Sequence, residues 1–594
     1  MEATRVFDIL DKLQREFPSK STLLASKEKK SDWKFVSVQE FITSANAVSA
    51  ALLQRGIQPG DKISIISNNR PEWNFVDFGC QQIDVILVPV YPTVSQHDLE
   101  FILKHAGVKG IFISSADILK KINSVSQPGQ FEFISSFSDA ENTISFSKFL
   151  EEGRKLFPER KEEIERIKKT IGPDSLLSIL YTSGTTGTPK GVMLSHRNLL
   201  SNVQACEHFV PFDSSWRNVS FLPLNHVYER MFNTLMLYLG ISIYYAQGLE
   251  TIAENVKEVK PQIIVTVPRL LERVYEKMLS KGSQLTGLKL KIFEWALDLA
   301  LQYEPDGANG FMYELKRWVA DKLVYSKWRE ALGGEIRFIA SGGAALQPRL
   351  ARIFTCAKIN TLQGFGLTET SPVIAVCRDG RGNNKFGTVG PVIENSIVKI
   401  AEDGEILVKG PGVMLGYYKN SEATAEVIDE EGWFHTGDVG TFVDGKYLKI
   451  TDRKKEIFKT SAGKYIAPLM IENKLKESRF VEQCMVIGEQ QKFASALIVP
   501  SFDYIKEWCK VKGIPFTTNE QMIENPELKK ELNSFIRNMN KQLAPFEQIK
   551  RHELLSNLWS IETGELTPKM SMKRKVILEK NKEVVSRIFA SEEE

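Results

Sequence analysis

The stretch "SLLSILYTSGTTGTPKG", Ser175 to Gly191, decides the fold. Its first half is a short apolar run, the pattern of a strand buried inside an α/β sheet. Its second half spaces Gly184, Gly187 and Gly191 among the hydroxyls of Thr182, Ser183, Thr185, Thr186 and Thr188, and ends on the cation of Lys190. Glycines permit tight turns, and the N–H, O–H and ammonium groups together can wrap a polyphosphate. The other reading is a flexible Ser/Thr/Gly linker, which the preceding strand and the compact cation disfavour. The loop is not a Walker A motif, because GxxxxGK[ST] is absent and the lysine precedes its glycine.

Working outward, helix-like and strand-like segments alternate on both sides. "SVQEFITSANAVSAALLQRG" has helical spacing and stops at Gly56; "DKISIISNN", "VILVPVY" and "GVKGIFIS" read as strands, with the helix-like "DLEFILKHA" between the last two. The charged "FPERKEEIERIKKTIGPDS" reads as a solvated helix before the loop strand. After the loop come "KPQIIVTVP", "RLLERVYEKML", "EIRFIASGG" and "INTLQGFGLTE". Such alternation predicts an α/β fold with mostly parallel sheets in a large N-terminal domain. From Gly404 short Gly-punctuated strands predict a small β-barrel-like subdomain, and mixed helix and strand after Asp452 predict an α+β domain of about 140 residues. The boundary is placed between residues 1–451 and 452–594.

Bulk properties narrow the class. With 77 Lys and Arg against 74 Asp and Glu, the chain calls for no nucleic-acid partner. Six scattered cysteines form no ligand cluster, which points to a reducing, cytoplasmic setting. The N-terminus lacks the apolar core of a secretory signal, and no apolar run reaches bilayer length. Membrane contact would therefore be peripheral, at the inner face. Around Lys291 to Glu330, Trp295, Phe311 and Trp318 recur at helical intervals, as an amphipathic surface or as core packing, with packing preferred. Oligomeric state leaves no mark in the sequence.

Further candidates follow from side-chain chemistry. In "QGFGLTET", Phe365 can stack on a base, Thr368 can donate to a phosphate oxygen and Glu369 can hold magnesium, although the segment also suits a plain polar turn. Gly343 and Ala344 in "SGGAAL" allow a planar ligand to approach, or simply enter a helix. Asp438 in "HTGDVG" can accept from ribose hydroxyls and Arg453 in "TDRKKE" can reach the same sugar, unless both are turn residues. His226 in "FLPLNHVYER" is either a site residue or a packed histidine. Ser195, His196 and His435 make no legible triad.

In series, "YTSGTTGTPKGVMLSH", "SGGAAL", "QGFGLTETSP", "GYYKN", "GWFHTGD" and "TDRKKEIFKTSAGKYIAP" resemble the adenylate-forming superfamily of acyl-CoA synthetases, luciferases and peptide-synthetase adenylation domains. The resemblance covers roughly Trp33 to Ile577 and is greatest to long-chain fatty-acid CoA ligases, which share the "LPLxHxxER" pattern seen at Leu222 to Arg230. It implies a ligase that joins a fatty acid to CoA through an acyl-adenylate, with ATP, magnesium and CoA required. It further implies that Lys190 and the glycine-rich loop hold the phosphates, that Thr368 and Glu369 serve the α-phosphate and magnesium, and that Phe365, Gly343 and Ala344 frame adenine. Asp438 and Arg453 would bind ribose, His226 would face the carboxylate, and Asp452 would be a hinge bringing Ser461 and Gly463 to thiol transfer. Alternatives are a fatty acyl-AMP ligase serving a carrier protein and a non-catalytic lipid-binding scaffold.

One departure stands out in the tail, "GELTPKMSMKRKVI". Where long-chain members resemble "LTPTxKxKR", this chain has Ser571 at the usual lysine, Lys569 two residues earlier, and Lys573 with Arg574 after it. If the stretch is extended, Lys569, Ser571 and Lys573 share a face. Lys569, nearer the "LTP" turn, is the first candidate for the catalytic cation and Lys573 the second; the third possibility is that no tail lysine acts and adenylation is slow or uses cations of the large domain.

Overall fold

A computed structural model describes residues 3–28, 31–182, 188–560, 562–566 and 572–590. The large domain is built on two eight-stranded sheets. In the first, Lys62–Ile66, Ile86–Val90, Val108–Ile113 and Leu176–Thr182 run parallel, and Leu176–Thr182 then pairs antiparallel with Lys190–Ser195. In the second, Arg217–Ser220, Ser242–Tyr245, Ile263–Thr266, Phe338–Ser341 and Asn360–Gly366 run parallel. Strand Ile86–Val90 is buried at every position, which explains why it reads as a continuous apolar run.

The predicted helices form where their ends are specified. Ser37 accepts a hydrogen bond from the Glu40 N–H and starts helix Val38–Gln54, which ends just before Gly56 in the left-handed region. Helix Phe146–Thr170 crosses it backbone to backbone at Gly153, where a Cβ would lie 2.0 Å from the Ala47 carbonyl oxygen. The charged helix begins earlier than its charges do, because Phe146, Phe149 and Leu150 anchor its first turns, and it continues through Pro158.

In the Lys291 to Glu330 region, helices Gly287–Leu301 and Phe311–Ala320 flank a turn at Pro305–Gly307. The preference for core packing is corrected for its three named aromatics. Trp295 is 36%, Phe311 80% and Trp318 53% exposed. The helical run after Phe311 has two apolar faces, and Ala320, Val324, Tyr325 and Trp328 fill the core from the other one.

Four antiparallel strands, Ile397–Ile400, Glu405–Lys409, Phe434–Val443 and Tyr447–Arg453, make the small sheet subdomain. Bridges Pro391–Tyr447 and Ala375–Val392 tie it to the edge of the second large sheet. Beyond it, residues from Phe458 to Ile588 share a hydrophobic core of their own around strands Val481–Ile487, Ala494–Pro500 and Ile549–Leu554. This core meets the large domain through polar contacts: Arg349 donates to the carbonyls of Glu477 and Lys476, and Arg269 pairs with Glu482. Among the described residues no helix is long and apolar enough to cross a membrane.

The tail bears on the condition under which Lys569, Ser571 and Lys573 would share a face. Leu566 bridges Met572 in antiparallel fashion and the Lys573 N–H donates to the Glu565 carbonyl at 2.7 Å, so Glu565–Leu566 and Met572–Lys573 lie side by side and not along one strand. Lys573 is exposed and precedes helix Arg574–Lys580. Arg574 is no surface charge: its guanidinium reaches Glu472 at 2.7 Å and the Val486 carbonyl. Lys569 and Ser571 lie outside the described residues.

Candidate active site

The sequence candidates gather where the parallel strands end, the usual place for a ligand in an open α/β sheet. Thr182 closes strand Leu176–Thr182, Gly343 and Ala344 follow Phe338–Ser341, and Thr368 and Glu369 follow Asn360–Gly366. Gly343 has φ +78°, and both it and Ala344 are exposed. Phe365 sits on the strand itself beside a β-bulge, opposite Ala375. Two side chains clamp these ends together. Asn225 donates to the carbonyls of Ser67 and Val90 in the first sheet, and the Tyr228 hydroxyl donates to the Ala340 carbonyl in the second.

His226 stands between these clamps. It caps helix Val227–Tyr238, its Nδ1 accepting from the Tyr228 N–H at 3.1 Å. Nearby, Glu229 is fully buried and bonded to Ser220 at 2.5 Å, and burial pushes its carboxyl up to about 8. Arg230 forms a buried ion pair with Asp77 at 2.6 Å. His196 is structural: it is buried, its Nδ1 accepts from the Val6 N–H, and burial holds its pKa down near 3. Ser195 is spent on a capping box with Asn198.

The Lys190 end of the site is organised by one residue to which sequence reasoning assigns no role. Strand Gly416–Tyr417 pairs with the Lys190 strand, and this places the Tyr417 ring 4.9 Å under the Lys190 ammonium. The Tyr417 hydroxyl donates to Glu369 Oε1 at 3.0 Å. Burial first, and the Glu369 carboxylate second, push the phenol well above its usual range, so it stays protonated and keeps donating. A cation and a carboxylate are thus held on one rigid ring. Its sequence signal was the "GYYKN" motif, whose partner strand lies more than 200 residues away. Thr182 is opposite Lys190 in the hairpin register, and Thr188, Lys190, Tyr417 and Tyr418 line a cavity of about 120 Å³. Ser183, Gly184, Thr185, Thr186 and Gly187 lie outside the described residues.

Asp438 and Arg453 face each other across the hairpin of the small subdomain, Oδ1 to Nε 3.4 Å. Burial raises the Asp438 carboxyl to about 6 against the pull of Arg453, with Glu456, Glu369 and Glu405 pressing the same way. Asp452 is buried too, accepting from the N–H groups of Arg453 at 2.6 Å and Leu469 at 3.0 Å, and its pKa rises to about 7 through burial. It joins the last strand of the subdomain to helix Pro468–Leu475. Among the described residues no contact brings Ser461 and Gly463 to this constellation. They lie exposed on the turn between Phe458–Lys459 and Tyr465–Ile466, where the Ser461 N–H donates to Gln491. Among the described residues no three His, Cys, Asp or Glu side chains gather as a metal cage. A lone Glu369 fits a magnesium ion that arrives with substrate phosphates, because that ion commonly keeps only one or two protein carboxylates.

Comparison with known proteins agrees with this geometry. The AMP-binding enzyme family matches residues 11–418, and the AMP-binding enzyme C-terminal domain matches residues 455–593. The chain belongs to the AMP-binding enzymes. Among curated relatives of this AMP-binding enzyme, long chain acyl-CoA synthetase 6, peroxisomal, of Arabidopsis thaliana is 34% identical, covering 94% of this chain and 82% of that one. Human long-chain-fatty-acid–CoA ligase 1 is 31% identical over 93% of this chain and 82% of its own length. A solved fatty acyl CoA synthetase of Mycobacterium tuberculosis shares the fold at a TM-score of 0.64 and 19% identity, covering 98% and 99% of the two chains. The AMP-binding enzyme is thus an AMP-forming ligase of the adenylate-forming superfamily, closely related to long-chain fatty-acid CoA ligases.

Proposed function

We propose that this enzyme activates a long-chain fatty acid with ATP and passes the acyl group to CoA. The observation that carries the reading is the Lys190–Tyr417–Glu369 chain at the foot of the glycine-rich loop. The names of the curated relatives support the choice of acid and thiol. In the first half-reaction a carboxylate oxygen bonds the α-phosphorus while the bond to the β-phosphate oxygen breaks and pyrophosphate leaves. In the second, the CoA sulfur bonds the acyl carbon while the carbon–oxygen bond to AMP breaks. Bringing two anions together calls for oriented cations and donors, not a covalent nucleophile.

On this reading Lys190, Thr182 and the loop from Ser183 to Gly187 hold the phosphates, with Thr368 at the α-phosphate. Glu369 would hold magnesium, which when bound neutralises phosphate charge. Phe365, Gly343 and Ala344 frame the base, Asp438 accepts from the ribose hydroxyls, and Arg453 orients the same sugar. His226 faces the carboxylate, and Lys569 bridges carboxylate and α-phosphate. Residues 452–594 turn about Asp452 to present Ser461 and Gly463 for thiol transfer.

The test is pyrophosphate release and thioester formation with palmitate or oleate, ATP, magnesium and CoA. Lys190→Ala is expected to slow pyrophosphate release by about 10²–10³-fold, the loss typical of one aimed charge-stabilising group. Unchanged release in that variant would overturn the phosphate assignment. AMP and pyrophosphate without acyl-CoA would shift the reading to a ligase serving a carrier protein.

A further inference from the structure

We propose that the outer face of helix Phe311–Ala320, together with a lysine-lined cleft at the end of the same helical run, docks this protein on an anionic lipid surface.

The first observation is where the exposed apolar side chains fall. Of seventeen large hydrophobic residues exposed among the described residues, nine lie between Leu288 and Leu323. Scattered exposed hydrophobics are ordinary, but a cluster this dense is not. Within the helix, Phe311, Leu315 and Trp318 stand at i, i+4 and i+7, with Met312 and Val319 beside them, so they form one stripe. The stripe is not a core face left undocked. The same run already buries Ala320, Val324, Tyr325 and Trp328 inward, and Tyr313 donates to the Leu299 carbonyl at 2.6 Å.

The second observation is charge. Lys316 and Lys322 border the stripe, and the Lys322 ammonium lies 3.9 Å over the Trp318 ring. Further along, Lys327 joins Lys257, Lys260 and Lys281 in an open cleft of about 650 Å³, together with Glu330 and Glu335. Aromatic and aliphatic tips flanked by lysines suit the boundary between acyl chains and anionic headgroups, where each lysine adds attraction. A second copy pressed face to face would instead bring these lysines against one another. Since no described helix can span a bilayer, the contact lies in the interface plane. It needs no catalysis and stands apart from the choice of substrate.

The experiment is co-sedimentation of the full chain with vesicles of phosphatidylcholine alone or mixed with phosphatidylserine. The protein is expected to pellet with the mixed vesicles, less with neutral ones, and less again at high salt. The double variant Phe311→Ser/Trp318→Ser should lose about tenfold or more of this binding, through lost apolar burial, while melting as the parent does. Lys260→Glu/Lys281→Glu should lose the preference for anionic vesicles and keep the weak neutral binding. Failure of the parent chain to pellet with mixed vesicles, or undiminished binding by the Phe311/Trp318 variant, would overturn the proposal. So would a parent dimer that this variant turns into a monomer without any vesicle binding, which would assign the face to a second copy.

Discussion

Two buried acids, each opposite an arginine, are used in opposite ways. Glu472 is 1% exposed, and its Oε1 takes both the Arg574 guanidinium at 2.7 Å and the Val486 N–H at 2.8 Å, with Arg574 itself only 17% exposed. Asp438 is 8% exposed, but its partner Arg453 is 54% exposed and 3.4 Å away. In the first pair both partners are buried and Glu472 Oε1 takes two short contacts, which fix the tail helix on the C-terminal core, while Glu472 Oε2 stays buried with no hydrogen-bond partner among the described residues. The second is open on one side, and its acid carries an unrepaid desolvation cost that a ligand's hydroxyls can relieve. Burial of the acid alone therefore does not separate a structural ion pair from a binding group; the burial and distance of its arginine do.

Breaking the buried pair should have the largest effect. Arg574→Ala strands the Glu472 charge and is expected to destabilise the C-terminal domain by about 3–5 kcal/mol, read as an earlier transition in urea. The open pair should respond in the other direction. The folded-state pKa of Asp438, about 6, lies above its ordinary 3.8, so the fold favours the protonated acid. That contribution is complete below about pH 4 and is lost as pH rises through 6. Asp438→Asn should then stabilise the ligand-free protein at pH 8 by up to about 3 kcal/mol, change little below pH 4, and slow ATP-dependent pyrophosphate release. A ligand-free protein that melts lower at pH 8 would mean that Asp438 is a satisfied structural acid after all. The smallest effect belongs to Arg453→Ala. Its exposed guanidinium should contribute only about 0–1 kcal/mol to folding, so a loss above about 2 kcal/mol in urea would place this pair with the buried one.

From sequence the two pairs look alike, and the reason bears on what sequence can show. The parallel sheets were legible because strands such as Ile86–Val90 are buried on both faces and carry that fact in every residue. Helix Val38–Gln54 was legible because Ser37 and Gly56 mark its ends locally. What escaped was information carried by partners far away in the chain. Tyr417 acquires its place only when Gly416–Tyr417 pairs with the Lys190 strand. Arg574 reads as one more tail charge until Glu472, a hundred residues earlier, is folded against it. The sequence leaves open whether the tail is extended, because the Lys573 N–H to Glu565 carbonyl bond that bears on it joins residues eight apart. Phe311 and Trp318 read as core because helical spacing does not say which of two apolar faces meets the protein.

The capping of helix Val227–Tyr238 by His226 has a consequence for proton traffic. Because Nδ1 accepts from the Tyr228 N–H, that nitrogen carries no proton, and the neutral ring must hold its hydrogen on Nε2. The helix start thus selects one tautomer. An imidazole so fixed offers a donor from its Nε2 edge, suited to steadying negative charge on an oxygen, and has no lone pair there with which to abstract a proton.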